Sequence, residues 1–131
     1  MYTQTTNHIR ITVRPEYLAA QSSPQERHWF WAYHVRIENQ GAETVRLTHR
    51  HWRITDATGR VQEVVGVGVV GEQPVLEPGE AFEYTSGCPL STPSGFMAGS
   101  YRMERAGGGA FEAQIPAFSL DSPANAPTRL N

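Results

Sequence analysis

The stretch from Val61 to Met103 constrains the fold more than any other part of the chain. It holds more than half of the twelve glycines, together with Pro74, Pro78, Pro89 and Pro93. Proline lacks a backbone N–H and clashes with the preceding helical turn, so a helix of ordinary length cannot form here. The segments on both sides alternate apolar and polar residues, which is typical of strands. The chain is therefore predicted to be all-β.

A G-x-G-x-x-G motif lies in this stretch, at Gly66, Gly68 and Gly71. In a dinucleotide-binding domain the motif binds pyrophosphate at the N-terminus of a helix, but Pro74 and Pro78 exclude that helix. Two interpretations remain. The glycines allow a bulge or the close approach of another backbone. Alternatively, their uncovered N–H groups bind a phosphate, a pyrophosphate or an incoming strand of a partner protein.

The positions of the glycines within the motif predict different roles. We expect Gly66 and Gly71, where the chain must change direction, to be needed for folding. We expect Gly68 to be nearly neutral for folding and to contribute to binding. The residues predicted to bind an anion or a partner are Gly66, Gly68, Gly71, Glu72, Gln73, Arg50 and His51.

Length and composition exclude several classes of protein. A chain of 131 residues fits one domain and can bury a core without metal or disulfide. Its formal charge of −2 gives no general attraction to nucleic acid, so no nucleic-acid partner is expected. Cys88 is the only cysteine, which excludes an internal disulfide. No apolar run is typical of a signal peptide or a membrane span, so we expect a cytoplasmic protein without membrane insertion.

Alternation with a period of two predicts the individual strands. The first strand comprises residues 9–14 and is expected to end at Pro15. A later and clearer strand places large apolar side chains on one face, and these predicted core residues are Trp29, Trp31, Tyr33, Val35 and Ile37.

Farther along, the alternation changes phase. Val45 and Leu47 share one parity, whereas Trp52 and Ile54 share the other, which predicts a bulge or bend between Leu47 and Trp52. Turn signals about eight to twelve residues apart indicate seven to eight short strands. We therefore predict one antiparallel β-sandwich domain over residues 1–120 and a disordered tail over residues 121–131.

Many short runs of the sequence resemble the ApaG family in order and spacing over nearly the whole chain. The runs are Arg50-His51-Trp52, Ile54-Thr55-Asp56, Gly59, Gly66-Val67-Gly68-Val69-Val70-Gly71-Glu72-Gln73-Pro74, Pro78-Gly79-Glu80, Tyr84-Thr85-Ser86-Gly87-Cys88-Pro89-Leu90, Thr92-Pro93, Gly99-Ser100-Tyr101 and Ile115-Pro116-Ala117-Phe118-Ser119-Leu120. The resemblance implies a fibronectin type III-like or immunoglobulin-like sandwich, a bacterial cytoplasmic setting, and a genetic link to cobalt resistance and magnesium efflux. It implies no known reaction. The same domain occurs in eukaryotic F-box proteins and in a polymerase-delta-interacting protein, where it is regarded as a protein-interaction module.

Few side chains are placed for metal or anion binding. His49 and His51 would point to one face of a regular strand and are the candidates for a metal site. The sequence places no third ligand beside them, so no metal site is predicted. Arg46, Arg50 and Arg53 interleave with these histidines and form either an anion patch or a solvated strand face.

The sequence also favours a protein without catalytic activity. Cys88 lies between Gly87 and Pro89, which favours a buried thiol over a nucleophile, and no catalytic motif is present. We predict a non-enzymatic module without cofactor that binds a protein partner, as a monomer or a homodimer. One alternative is a phosphate, pyrophosphate or nucleotide sensor that uses the glycine motif, and another is a binder of divalent metal.

Overall fold

The computed structural model describes residues 1–123 and contains nine strands in two antiparallel sheets. The strands are β1 (Tyr2–Thr6), β2 (Ile9–Tyr17), β3 (Trp29–Asn39), β4 (Val45–Asp56), β5 (Val61–Val67), β6 (Val75–Leu76), β7 (Ala81–Leu90), β8 (Ser94–Arg105) and β9 (Ala110–Asp121). Two short 3-10 helices, Ala19–Gln21 and Pro24–Glu26, lie between β2 and β3. The predicted antiparallel β-sandwich is confirmed, with nine strands where seven to eight were expected.

Each sheet presents one face to a shared core. The first sheet has the order β1-β2-β3-β7 and the second β5-β4-β8-β9, while β6 pairs with β4 beyond the end of β5. The residues predicted for the core face of β3 are all buried. They meet aromatic residues of the second sheet; the rings of Tyr33 and Trp52, for example, have centroids 5.1 Å apart. Each such large side chain contributes about 1.5 to 3 kcal/mol when buried.

The first two strands differ from the prediction. β1 was not predicted, because its polar and largely exposed residues give no burial signal. Asn7 and His8, both at positive φ, form the tight turn that joins β1 to β2. The prediction that Pro15 ends the next strand was wrong, since β2 continues to Tyr17. Pro15 is tolerated because β1 pairs with β2 only as far as Val13, which leaves an open edge beyond that point.

A β-bulge in β4 confirms the predicted change of phase. The pairing of β4 with β8 shifts register between Leu47 and His49, so Thr48 is the extra residue. Before the bulge Val45 and Leu47 face the core, and after it Trp52 does. Every later residue of β4 therefore faces the side opposite to the one that an unbroken strand would give it.

The sandwich is closed on one side and open on the other. On the closed side β9 packs against β1 and β2, and the N–H of Gln114 donates a hydrogen bond of 3.2 Å to the hydroxyl of Thr6. On the opposite side the edge strands are β5 and β7. Within residues 1–123, β5 pairs only with β4. A ligand that approaches this open side can reach both the edge of a sheet and the space between the sheets.

Buried hydroxyl and thiol groups lie between the sheets. The hydroxyl groups of Tyr84 in β7 and Tyr101 in β8 are hydrogen-bonded to each other. Burial raises the pKa of both phenols well above the ordinary value. Burial also raises the pKa of the Cys88 thiol to about 11.

Residues 1–123 contain no helix long and apolar enough to cross a membrane. β9 runs to Asp121, and from residue 124 onward the predicted disordered tail lies outside the described residues. The disorder of that tail stays a prediction.

The buried acidic groups predict a loss of stability in alkali. Their pKa values are higher in the folded than in the unfolded chain, so the unfolded chain releases protons first as the pH rises. The contribution of Cys88 to the free energy of unfolding should be fully present below the ordinary pKa of a thiol and should be lost as the pH rises from there to its folded pKa of about 11. Cys88 alone should account for about 2 to 3 kcal/mol. Urea titrations from pH 7 to 11 measure the decline, and Cys88→Ala should reduce it. A decline unaffected by this substitution would contradict the assignment to Cys88.

Candidate functional site

The N–H groups of β5 alternate between its partner strand and the open side. At one end of the pairing the Asp56 N–H donates to the Arg60 carbonyl (3.0 Å), and at the other the Gly68 N–H donates to the Thr48 carbonyl (2.8 Å). Both bonds fit the β4–β5 register, so the even-numbered residues of β5 pair with β4. The odd-numbered residues direct their N–H groups to the open side, and these are Val61, Glu63, Val65 and Val67.

Apolar side chains accompany this row of outward N–H groups. Val61, Val65 and Val67 are 51%, 69% and 59% exposed. Natural edge strands are usually protected by charge or proline. Here the one charged residue of the strand is Glu63, and its carboxylate is 3.0 Å from Nε2 of His51. We call the outward N–H groups and valine side chains of residues 61–67 the β5 edge.

The glycine motif forms a tight turn at the end of β5. Val69 and Glu72 exchange backbone hydrogen bonds of 2.8 and 2.9 Å, and Val70 and Gly71 between them both have positive φ. The Gly68 N–H donates to β4. The N–H groups of Gly68, Val69 and Glu72 therefore have backbone acceptors. Within residues 1–123, those of Val70 and Gly71 at the tip of the turn have none, like the outward N–H groups of the odd-numbered residues of β5.

Gly68 is the most confined glycine of the motif, which corrects the expectation that it is nearly neutral for folding. Its φ is +66°, and an added Cβ would lie 2.2 Å from the carbonyl oxygen of Glu72. Gly71 also has positive φ, +82°, but its Cβ would meet nothing within 4 Å. A Cβ on Gly66 would first meet the guanidinium group of Arg50, at 2.8 Å. Gly66 lies within β5, so the expectation that the chain changes direction there was wrong.

Arg50 reaches the open side because the bulge turns it inward. Its guanidinium lies over Gly66, where no side chain blocks it, and Nη1 donates to the carbonyl oxygens of Val67 (3.1 Å) and Gly68 (2.9 Å). In the described part of the chain no carboxylate lies within 4.0 Å of this guanidinium. The cation is half-buried and has no counter-charge there.

Behind the β5 edge, two adjoining pockets form a groove between β5 and β7. One is a cavity of about 220 Å³ that contains Arg50 and, among its apolar lining, Trp52, Val64 and Cys88. The other has a volume of about 260 Å³ and contains Arg27, Arg60 and Asp56. Ile54, Gln62 and Pro89 line both pockets. We call the two together the inter-sheet groove.

The bulge also separates the residues of the predicted arginine and histidine cluster. Arg50 faces the groove, whereas Arg53 and the two histidines lie on the outer face of the second sheet. His49 Nδ1 is 3.0 Å from the Thr48 hydroxyl. Of the two interpretations left open for the arginines, a single anion patch therefore does not fit the structure, because Arg50 and Arg53 lie on opposite faces of β4. In residues 1–123 no group of three His, Cys, Asp or Glu side chains is placed to hold a metal ion.

Cys88 lies against the groove but is not activated. Its side chain is buried, and burial raises the pKa of the thiol to about 11, so the thiolate is scarce at neutral pH. A thiolate nucleophile needs a lowered pKa, usually beside a cation or a base. The geometry of this thiol fits the prediction of a buried structural cysteine.

The structure brings together only part of the predicted set. Arg50, Gly66 and Gly68 are in contact, and the Gln73 side chain lies 3.3 Å from the position of a Cβ on Gly68. His51 lies on the other face of the sheet. Arg27 and Arg60, which reach the groove from loops, were not predicted from the sequence. The β5 edge was not predicted either, although valine at both odd and even positions of one strand was an available signal.

Fold and site together define an all-β sandwich protein with an exposed strand edge and a basic groove behind it. The ApaG domain family matches residues 19–105. Among curated relatives, Protein ApaG of Rhodospirillum centenum is 73% identical over 123 residues (94% of this chain and 95% of that protein), and Protein ApaG of Paramagnetospirillum magneticum is 65% identical over 131 residues (100% of both). The crystal structure of the putative ApaA protein from Bordetella pertussis superimposes with a TM-score of 0.85 at 48% identity (93% of this chain and 96% of that one). The chain belongs to the ApaG domain family.

The loss of unfolding free energy caused by each alanine substitution in the motif should depend on the space around the glycine and on its φ. Gly68→Ala should lower the free energy of unfolding by about 2 kcal/mol or more, because strain and a backbone clash combine. Gly71→Ala should cost about 1 kcal/mol from φ alone. Gly66→Ala should cost less than about 1 kcal/mol, since a flexible arginine can move aside. Denaturant midpoints measure the series, and an unchanged midpoint for Gly68→Ala would contradict it.

Proposed function

We propose that this ApaG-domain protein is a non-enzymatic binding module that pairs with an extended segment of a partner protein along the β5 edge. The observation that carries the proposal is the row of outward N–H groups beside exposed valines at residues 61, 65 and 67. Main-chain hydrogen bonds from such an edge bind an added strand, and the side chains beside it give specificity. The site contains no activated nucleophile: the pKa of Cys88 is raised, not lowered.

The hydrogen bonds of the glycine motif favour a strand over an anion. A phosphate would need several N–H groups aimed at one point, but those of Gly68, Val69 and Glu72 donate to carbonyl groups of the protein, which leaves only the two of Val70 and Gly71 at the tip of the turn. The N–H groups of the β5 edge lie in a line along the strand, which is the arrangement an incoming strand needs. Phosphate and divalent metal are therefore secondary candidates.

The proposal also accommodates what resemblance to the family implied. A link to cobalt resistance and magnesium efflux does not require that this chain bind metal, because a binding module can act through the partner it holds. We propose that it works in this way, in the cytoplasm. A homodimer formed through the same edge is the competing arrangement.

Proline at position 65 should prevent strand addition. The Val65 N–H faces the open side, so Val65→Pro removes one donor for the partner without removing a bond to β4. Val65→Thr is the matched control, since it keeps the N–H and the β-branched shape. A photo-crosslinking residue placed at Val61, in cells of the native host, should give a discrete adduct in the wild type and in Val65→Thr, and none in Val65→Pro.

Melting temperatures of the purified variants test whether Val65→Pro is folded, which we expect because the substitution removes no bond to β4. The same crosslinker at Phe96 provides a second control, because Phe96 is 49% exposed but lies on an inner strand of the sheet. Position 96 should give no such adduct. An adduct from position 61 that survives Val65→Pro would overturn the proposed mode of binding.

A further inference from the structure

We propose that the segment bound at the β5 edge is acidic, with one carboxylate that meets Arg50 at one end of the edge and another that meets Arg27 and Arg60 at the other end. This inference rests on the proposed function and adds the chemistry of the partner. It is carried by an excess of arginine over carboxylate at both ends of the inter-sheet groove.

Arg50 stands at the free edge of β5. Its Nη1 donates to the carbonyl of Val67, an odd-numbered residue whose carbonyl is directed away from β4. Neither Nε nor Nη2 has an acceptor among the hydrogen bonds of residues 1–123. A half-buried guanidinium without a counter-charge is well suited to a bidentate contact with a carboxylate.

Positive charge is also in excess at the other end. Arg27 and Arg60 line the pocket of about 260 Å³ with Asp56 as its one carboxylate. That carboxylate already accepts hydrogen bonds from the N–H groups of Thr58 (2.9 Å) and Arg60 (3.1 Å). Neither arginine has a carboxylate within 4.0 Å in the part of the chain that the structure describes.

The strand register relates the two ends. On a strand paired with β5, the residues opposite Gly66 and Gln62 are four positions apart, which spans about 13 Å, and both face the inter-sheet groove. The residue between them lies opposite Val64 and faces the apolar cavity. The groove therefore fits a segment of five residues in which the first and fifth are acidic and the third is apolar. The second and fourth residues can be of any type, because their side chains face outward beside the exposed valines.

A second copy of the chain fits the groove less well. In a symmetric pairing of two β5 strands, the groove-facing residues would be Gln62, Val64 and Gly66 of each copy. None of these supplies a carboxylate, so both copies of Arg50 would be covered without a counter-charge. Charge complementarity thus favours an acidic segment of another protein.

Blocked peptides with matched charge test the inference. The probes are Ser-Glu-Thr-Val-Thr-Glu-Ser and its isosteric counterpart Ser-Gln-Thr-Val-Thr-Gln-Ser, titrated into the labelled full chain and followed by amide chemical shifts in NMR. The acidic peptide should bind about tenfold more tightly at low salt, shift the amides of Val61, Glu63 and Val65, and lose its advantage as salt is added. Arg50→Gln should reduce the advantage about threefold, the share of one of the two carboxylate contacts. Arg53→Gln, an exposed arginine on the outer face of the same strand, should leave it unchanged.

Every other outcome overturns the inference, and the outcomes separate it from the proposed function. Equal affinity for both peptides, abolished by Val65→Pro, would refute the role of charge and leave strand addition intact. An acidic preference that Arg50→Gln leaves undiminished would place the charge contact elsewhere. Edge amides that shift with protein concentration alone would assign the edge to a second copy. If neither peptide shifts the edge amides, the acidic segment is excluded, whereas the proposed function falls only if the crosslink also survives Val65→Pro.

Discussion

The β-bulge at Thr48 is the constraint on which the open side of the sandwich depends. One inserted residue moves every later side chain of β4 to the opposite face of the sheet. Trp52 therefore completes the core, Arg50 lies toward the groove and His51 lies on the outer face. The Thr48 carbonyl also accepts the hydrogen bond from Gly68, which fixes the turn after β5. An unbroken strand would instead direct His51 into the core and Trp52 into water. Burial of the indole ring therefore maintains the bulge, and the bulge maintains the position of Arg50.

The glycine motif serves this same arrangement through backbone packing. Gly66 leaves room for the Arg50 guanidinium, and Gly68 lets the chain approach the carbonyl of Glu72 at positive φ. Val70 has a φ of +43°, which is strained for a β-branched residue. The adjacent Val69 side chain is 1% exposed, and its burial offsets that strain. A motif that would bind pyrophosphate before a helix thus forms a turn at the end of an edge strand.

Features that depend on burial could be predicted from the sequence, whereas features that depend on edges and loops could not. Alternation identified the core face of β3 and the change of phase in β4, because buried and exposed sides of a strand repeat every second residue. It could not identify β1, which is mostly exposed on an outer edge. Arg50 could be named as a candidate from the sequence, but the side of the sheet on which its side chain lies could not be predicted. That side depends on which residue forms the bulge. Arg27 and Arg60 line the same pocket only in the folded chain, because they lie in separate connections far apart in the sequence.

An edge strand with uncovered N–H groups and exposed valines invites unspecific pairing, which most proteins prevent with charge or proline. On β5 the one acidic residue, Glu63, is held by His51, so the strand itself offers little protection. Main-chain hydrogen bonds alone would accept any extended segment. Discrimination must then come from the ends of the edge, where arginines without counter-charge repel basic segments and favour acidic ones. The same arginines oppose pairing between two copies of β5, because neither copy brings a carboxylate to them. Under the proposed mode of binding, positive charge at the ends would disfavour self-association of the edge while leaving it open to an acidic partner.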